Sequence, residues 1–156
     1  MTQHPNVVPA LFYKNPKAAL DFLQKAFGFE LEMLIEDEQG KLAHSQLRFR
    51  DGLIMVGTEW SEKHQSPASL NGRNSQTTHL YLEGISADDH CARAEAAGAD
   101  ILARPADQFY GDRTYRACDP EGHIWTFSET LRQVDPADWD KEMKLKTWVR
   151  KGRTEE

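Results

Sequence analysis

Two pairs of glycines share one spacing, and that repeat restricts the fold more than any other feature of the chain. Gly28 closes a run with helical spacing (Leu20, Leu23, Phe27), and Gly98 closes a second run 70 residues later. Gly52 and Gly122, each beside an expected hairpin, are also 70 residues apart. The elements repeat in the same order. VVPALFY reads as a strand and Asn15-Pro16 as a helix start, with ELEMLIED, KLAHSQLRFRD and LIMVGTE as three further strands. Gln39-Gly40 and Asp51-Gly52 supply the turns between them. TTHLYLEGI opens the second round, followed by a helix capped near Ser86 and the strands DILARPA, RTYRACD and HIWTFSE. The expectation is an α+β chain with two βαβββ modules, at about residues 6–59 and 77–130, within one domain over 1–134.

The composition excludes several function classes. A net charge of −6 gives no basic field for nucleic acid or an anionic membrane surface. Cys91 and Cys118 are too few for a disulfide framework and lack CxxC spacing, so a reducing compartment suits them. MTQHPNVVPALF lacks the basic and apolar regions of a signal peptide, and no apolar run nears the roughly 20 residues that span a bilayer. The expected address is the cytoplasm. GxSxG, HExxH, Walker and GxGxxG motifs are absent.

Two segments lie outside the repeat. Residues 60–76, rich in Ser, Asn, Gly and Pro, form a connection long enough to be a flap or a linker. Residues 135–156 read as a helical tail starting at Asp135-Pro136. Its apolar residues Trp139, Met143, Leu145, Trp148 and Val149 spread over more than half a helix circumference, which fits contact with two surfaces, one of them a second subunit, or packing on its own domain.

Strand alternation sorts the side chains by face. Leu47 and Phe49 suit a helix-covered side, which sends His44, Gln46 and Arg48 to the other. The same rule sets His79 and Tyr81 against Leu80 and Leu82, and Thr126 and Ser128 against Trp125 and Phe127. One face is apolar, and the other, mixed polar and aromatic, would line a pocket if the sheets curl together. His4, His64, His90 and His123 read as solvent-facing. Cys118 reads as a small buried cysteine, with a thiol of lowered pKa as the alternative.

The chain resembles the vicinal oxygen chelate superfamily, which includes glyoxalase I, extradiol dioxygenases, fosfomycin-resistance enzymes and bleomycin-binding proteins. NPKAALDFLQKAFGFEL, SQTTHLYLEGI and YGDRTYRACDPEGHIWTFSE carry the likeness, together with the paired βαβββ order. It implies a curled mixed sheet around a cavity, here with a C-terminal helix added. Metal-using members take ligands from the first, fourth, fifth and eighth strands, commonly His, Glu, His, Glu. Carried over, these positions fall on Pro9 (or Val8), Val56, His79 and Thr126. Only His79 is a strong ligand, whereas a divalent transition metal normally takes three or four.

The expectation is a homodimeric binder of a small, partly aromatic or anionic molecule, with no metal or other cofactor. Its ligand-binding residues would be His44, Gln46, Trp60, His79, Tyr81, Tyr110, Arg113, Tyr115, Arg116 and Thr126. The alternative is a lyase, isomerase or dioxygenase with a non-standard metal site at His44 and His79, or with His79 as acid/base.

Overall fold

The expected helix starts form as their chemistry dictates. Asn15 caps the first helix by accepting from the Ala18 amide, and Ser86 caps the second by accepting from Asp89. The structure, a computed structural model, describes residues 4–74 and 76–151. The first module contains β1 (Ala10–Tyr13), α1 (Pro16–Phe22), β2 (Glu30–Glu36), β3 (Leu42–Phe49) and β4 (Gly52–Thr58). A π-helical segment, Leu23–Phe27, extends α1. The second module contains β5 (Thr78–Tyr81), α2 (Ala87–Ala96), β6 (Asp100–Asp107), β7 (Asp112–Cys118) and β8 (Ile124–Thr130), and α3 (Pro136–Met143) follows. The two sheets have the orders β1-β4-β3-β2 and β5-β8-β7-β6. In each, the first strand runs parallel to the last and the remaining pairs are antiparallel.

A single core unites the modules. Leu47, Ile54 and Val56 from the first sheet and Tyr115, Ala117, Trp125 and Phe127 from the second are all buried. Phe27 crosses the boundary, with its ring 4.8 Å from Phe127 and 5.6 Å from Trp125. His90 joins the same cluster. It stands on the α2 stripe Ala87, His90, Cys91, Ala94, so its burial is a consequence of helical spacing.

The two hairpin glycines are not equivalent positions. Gly52 opens β4 and pairs with Phe49, leaving a two-residue turn in which Arg50 takes the left-handed conformation (φ 54). In the second module Asp119 and His123 enclose three residues, and Gly122 lies inside the turn at φ 96. Proline at the second turn position and the Gly122 amide donating to the Asp119 carbonyl are what a four-residue β-turn favours. The extra residue moves the offset from 70 to 71 beyond the turn, since Ser45–Val56 pairing corresponds to Tyr115–Phe127 pairing.

This longer turn locks the modules together. The buried Asp119 carboxylate accepts from Glu121 and His123 amides, from Tyr13 Oη (2.6 Å) and from Trp125 Nε1 (3.1 Å). Glu121 accepts from the Lys14 and Asn15 amides at the entrance to α1 and from Ser66 Oγ of the connecting loop. His123 Nε2 lies 2.9 Å from the Phe12 carbonyl, to which it donates. The charged residues of DPEGH are thus joints of the fold.

Gly111 has a different structural role. At φ +101 its carbonyl accepts from Leu131 and Arg132, and an added Cβ would lie 2.2 Å from the Arg132 carbonyl oxygen. Gly111→Ala is therefore expected to cost more than about 2 kcal/mol by combining left-handed strain with a backbone collision. A lowered urea midpoint would show it, whereas an unchanged midpoint would refute the account.

The helical part of the tail is shorter than 135–156. α3 stops at Met143, and Lys144 turns left-handed at φ 57. Asp140 holds the chain returning from that turn through the amide and hydroxyl of Thr147, while Trp139 Nε1 donates to the same hydroxyl. Trp139 meets Phe109 edge-on at 5.8 Å, so α3 rests on the β6–β7 turn. Residues 152–156 lie outside the described residues.

Candidate functional site

Alternation along the central strands creates two unlike faces opposite the core. In the first module β1 contributes Ala10 and Phe12, β3 His44 and Gln46, and β4 Met55. In the second, β5 contributes His79 and Tyr81, β7 Thr114 and Arg116, and β8 Thr126 and Ser128. The first face is mainly apolar and the second mainly polar. A hollow of about 450 Å³ on the first is lined by Phe12, His44, Met55, Gly57 and Trp60. A second hollow, about 710 Å³, lies between β1, β5 and the 60–76 loop, with Phe12, His64, Arg73, His79 and His123 in its wall. Ala10 and Phe12 line both. His44 and His79 thus stand in adjoining hollows, not in one.

The polar face has defined contacts. His79 Nε2 is 2.5 Å from Ser128 Oγ and its ring stacks on Tyr81 at 5.1 Å. Burial pushes the His79 pKa down and the nearby Arg116 adds to that, against the opposing pull of Asp112. A neutral imidazole at pH 7 follows. Arg116 Nε donates to Thr126 Oγ1 at 3.2 Å, leaving the rest of an exposed guanidinium facing outward. Burial, then Asp112 and Tyr81, raises the Tyr110 phenol against the pull of Arg116, and its ring packs edge-on against Phe109 at 5.1 Å. On the first face the Gln46 amide donates to His44 Nε2 at 3.3 Å. Trp60 lies exposed at the edge, stacked on His64 at 4.1 Å, and His64 in turn meets the Phe12 ring edge-on.

Two expected wall residues point the other way. Arg113 and Tyr115 share the parity of Ala117, which packs in the core, so both leave the polar face. Tyr115 is buried against Phe127 and its hydroxyl donates to His90 Nδ1. Arg113 forms ion pairs with Asp88 of α2 and with Asp107. Sequence order placed both beside Arg116, but a strand sends neighbours to opposite faces.

Three histidines expected in solvent are engaged elsewhere. His64 is sandwiched by Trp60 and Phe12, and His123 is bonded to Phe12. His90 is buried, with Nε2 donating to the Phe27 carbonyl. With Nδ1 accepting from Tyr115, both nitrogens are satisfied in the neutral ring, and burial lowers its pKa from the ordinary 6.5. Below that value the unfolded chain binds a proton that the native ring resists, so stability falls with falling pH. The expected slope is up to about 1.4 kcal/mol per pH unit for His90, with exposed His79 adding a smaller, solvent-screened part in the same direction. Denaturation from pH 7 to 5 should show a smaller slope for His90→Leu than for the wild type. Cys118 is half-buried and its thiol is raised by burial and then by Asp119, so it is no thiolate nucleophile at neutral pH.

Register also corrects the positions at which relatives carry metal ligands. Met55, not Val56, matches Thr126, because Met55 faces Gln46 as Thr126 faces Arg116. Ala10, not Pro9, matches His79, since Ala10 pairs with Met55 and His79 with Thr126. Val56 faces the core. The four positions thus hold Ala10, Met55, His79 and Thr126: one imidazole, one soft thioether, one neutral hydroxyl and a methyl. That donor set does not fit a divalent metal held by His and Glu. No group of three or more His, Cys, Asp or Glu able to hold a metal ion occurs among the described residues.

The sequence profile of the glyoxalase/bleomycin resistance protein/dioxygenase superfamily matches residues 5–127. The chain belongs to this superfamily. Within it, an uncharacterised Mycobacterium bovis protein is 31% identical over 135 residues, covering 84% of this chain and 87% of that protein. TioX from Micromonospora sp. ML1 is also 31% identical, with a TM-score of 0.65 and coverage of 83% of this chain and all of that one. The genomically encoded fosfomycin resistance protein FosX from Listeria monocytogenes shares the superfamily fold at 15% identity and a TM-score of 0.60, over 82% of this chain and 94% of its own. No helix among the described residues is long and apolar enough to cross a membrane.

Proposed function

We propose that this superfamily member is a homodimeric, cytoplasmic, metal-independent binder of a small molecule with an aromatic portion and an anionic group. The observation that carries this reading is an apolar hollow lined by Phe12, Met55 and Trp60, which shares Ala10 and Phe12 with a second hollow that reaches His79, on the polar face of Tyr81, Arg116 and Thr126. Aromatic walls hold a planar body, and an outward guanidinium suits a carboxylate or phosphate. The poor donor set at Ala10, Met55, His79 and Thr126 supports binding without a metal. The test is a panel of aromatic acids and aromatic phosphates, screened by tryptophan fluorescence and confirmed by calorimetry. Binding should survive chelation with EDTA, and a stoichiometric metal needed for binding or turnover would sink the reading.

A second reading has its own support. His79 is neutral, exposed on the sheet face and bonded to Ser128, open to a substrate as a general base should be. In that case His79→Ala would abolish turnover of a bound compound while leaving its affinity within a few-fold.

A further inference from the structure

β2 and β6 are the outer strands of their sheets, but they are protected differently. β6 contains Pro105 and exposes Leu102 alone among its large apolar side chains. β2, ELEMLIE, has no proline; its register sets Leu31 and Leu34 beside core-facing Leu47 and Ser45, and leaves Met33 and Ile35, 43 and 48% exposed, as a ridge on the face of Gln46 and His44. Carboxylates flank this ridge. Arg48 pairs with Glu32 and Lys17 with Glu36, whereas Glu30 and Glu38 are in no ion pair among the described residues.

The tail has the complementary character. Trp148 is 82% exposed and Val149 63%. Lys146, Arg150 and Lys151 accompany them and pair with no carboxylate among the described residues. Thr147, tied to Asp140 and Trp139, fixes the point from which the arm projects. Exposed Trp next to cations is the composition of an interface centre with a charged rim.

We propose that Trp148 and Val149 of one copy cover the ridge of Met33 and Ile35 on a second copy, with Lys146, Arg150 and Lys151 set against Glu30 and Glu38. α3 anchors the arm on the second module at Phe109, while the ridge borders the sheet of the first. Trp148 to Lys151 spans at most about 14 Å when extended, and it leaves from the second module, whereas the ridge is on the outer strand of the first. Two-fold symmetry makes the exchange reciprocal. This inference rests on the homodimer reading and specifies its contact.

The test is sedimentation velocity of the full chain over a concentration series. Trp148→Ala and the pair Lys146→Glu/Arg150→Glu should each weaken dimerisation about tenfold or more, equivalent to about 1.4 kcal/mol, with unchanged circular dichroism. Mixing Lys146→Glu/Arg150→Glu with Glu30→Lys/Glu38→Lys should restore association between the two variants. If both tail variants dimerise like the wild type, the tail contact is wrong while the homodimer stands. A wild type that stays monomeric at every concentration overturns both.

Discussion

Asp119→Ala is expected to lower stability by about 4 kcal/mol, the largest loss from any single polar substitution in the chain. The carboxylate receives four hydrogen bonds in a buried site, from two turn amides, the Tyr13 hydroxyl and the Trp125 indole. Alanine would leave those donors without an acceptor, and hydrogen bonds to a charged group are the stronger kind. Tyr13→Phe removes only one donor and should cost about 1–2 kcal/mol. Urea denaturation checks both: the midpoint should fall with the m-value retained, more for Asp119→Ala than for Tyr13→Phe. Equal losses would mean that the Tyr13 bond alone accounts for the site.

Arg116→Ala should weaken an anionic ligand recovered from the aromatic-acid panel by about ten- to a hundredfold, the range for a lost charge-assisted hydrogen-bonding pair. Arg116 is exposed and, among the described residues, its side chain bonds only to Thr126, so stability should change by less than about 0.5 kcal/mol. Lysine at the same position keeps the charge but not the planar fork, and should restore part of the affinity. Arg113→Ala is the matched control. Its guanidinium faces α2, and its loss should leave affinity unchanged while it breaks the pairs with Asp88 and Asp107. Calorimetry on the three variants distinguishes the roles, and equal weakening by both alanine substitutions would refute the assignment of faces.

The repeat, the helix caps and the face assignment of β3, β5 and β8 were legible because each follows from local periodicity or capping chemistry. His44, Gln46, His79 and Thr126 emerge on the expected faces. Tyr115 and Arg113 were misread because residue types that suit a ligand also suit a buried hydrogen bond or a surface ion pair, and only parity with Arg116 separates them. That signal was present in the sequence. His90 was equally decipherable from its i, i+3, i+4, i+7 stripe. Other features had no local signal: the one-residue difference between the two turns, which moves Val56 to the core, and the bonds of Asp119 to Tyr13 and of Glu121 to Lys14 and Asn15, more than a hundred residues away.

Glu121 satisfies amides at the entrance to α1 from a point 106 and 107 residues further along the chain. During synthesis at about 5–20 residues per second, the first module therefore waits roughly 5–20 s for that acceptor. Until then Phe27 also lacks Trp125 and Phe127. A nascent chain halted before residue 119 should be open to proteases, and completion of one short turn should convert two half-built modules into a cooperative whole.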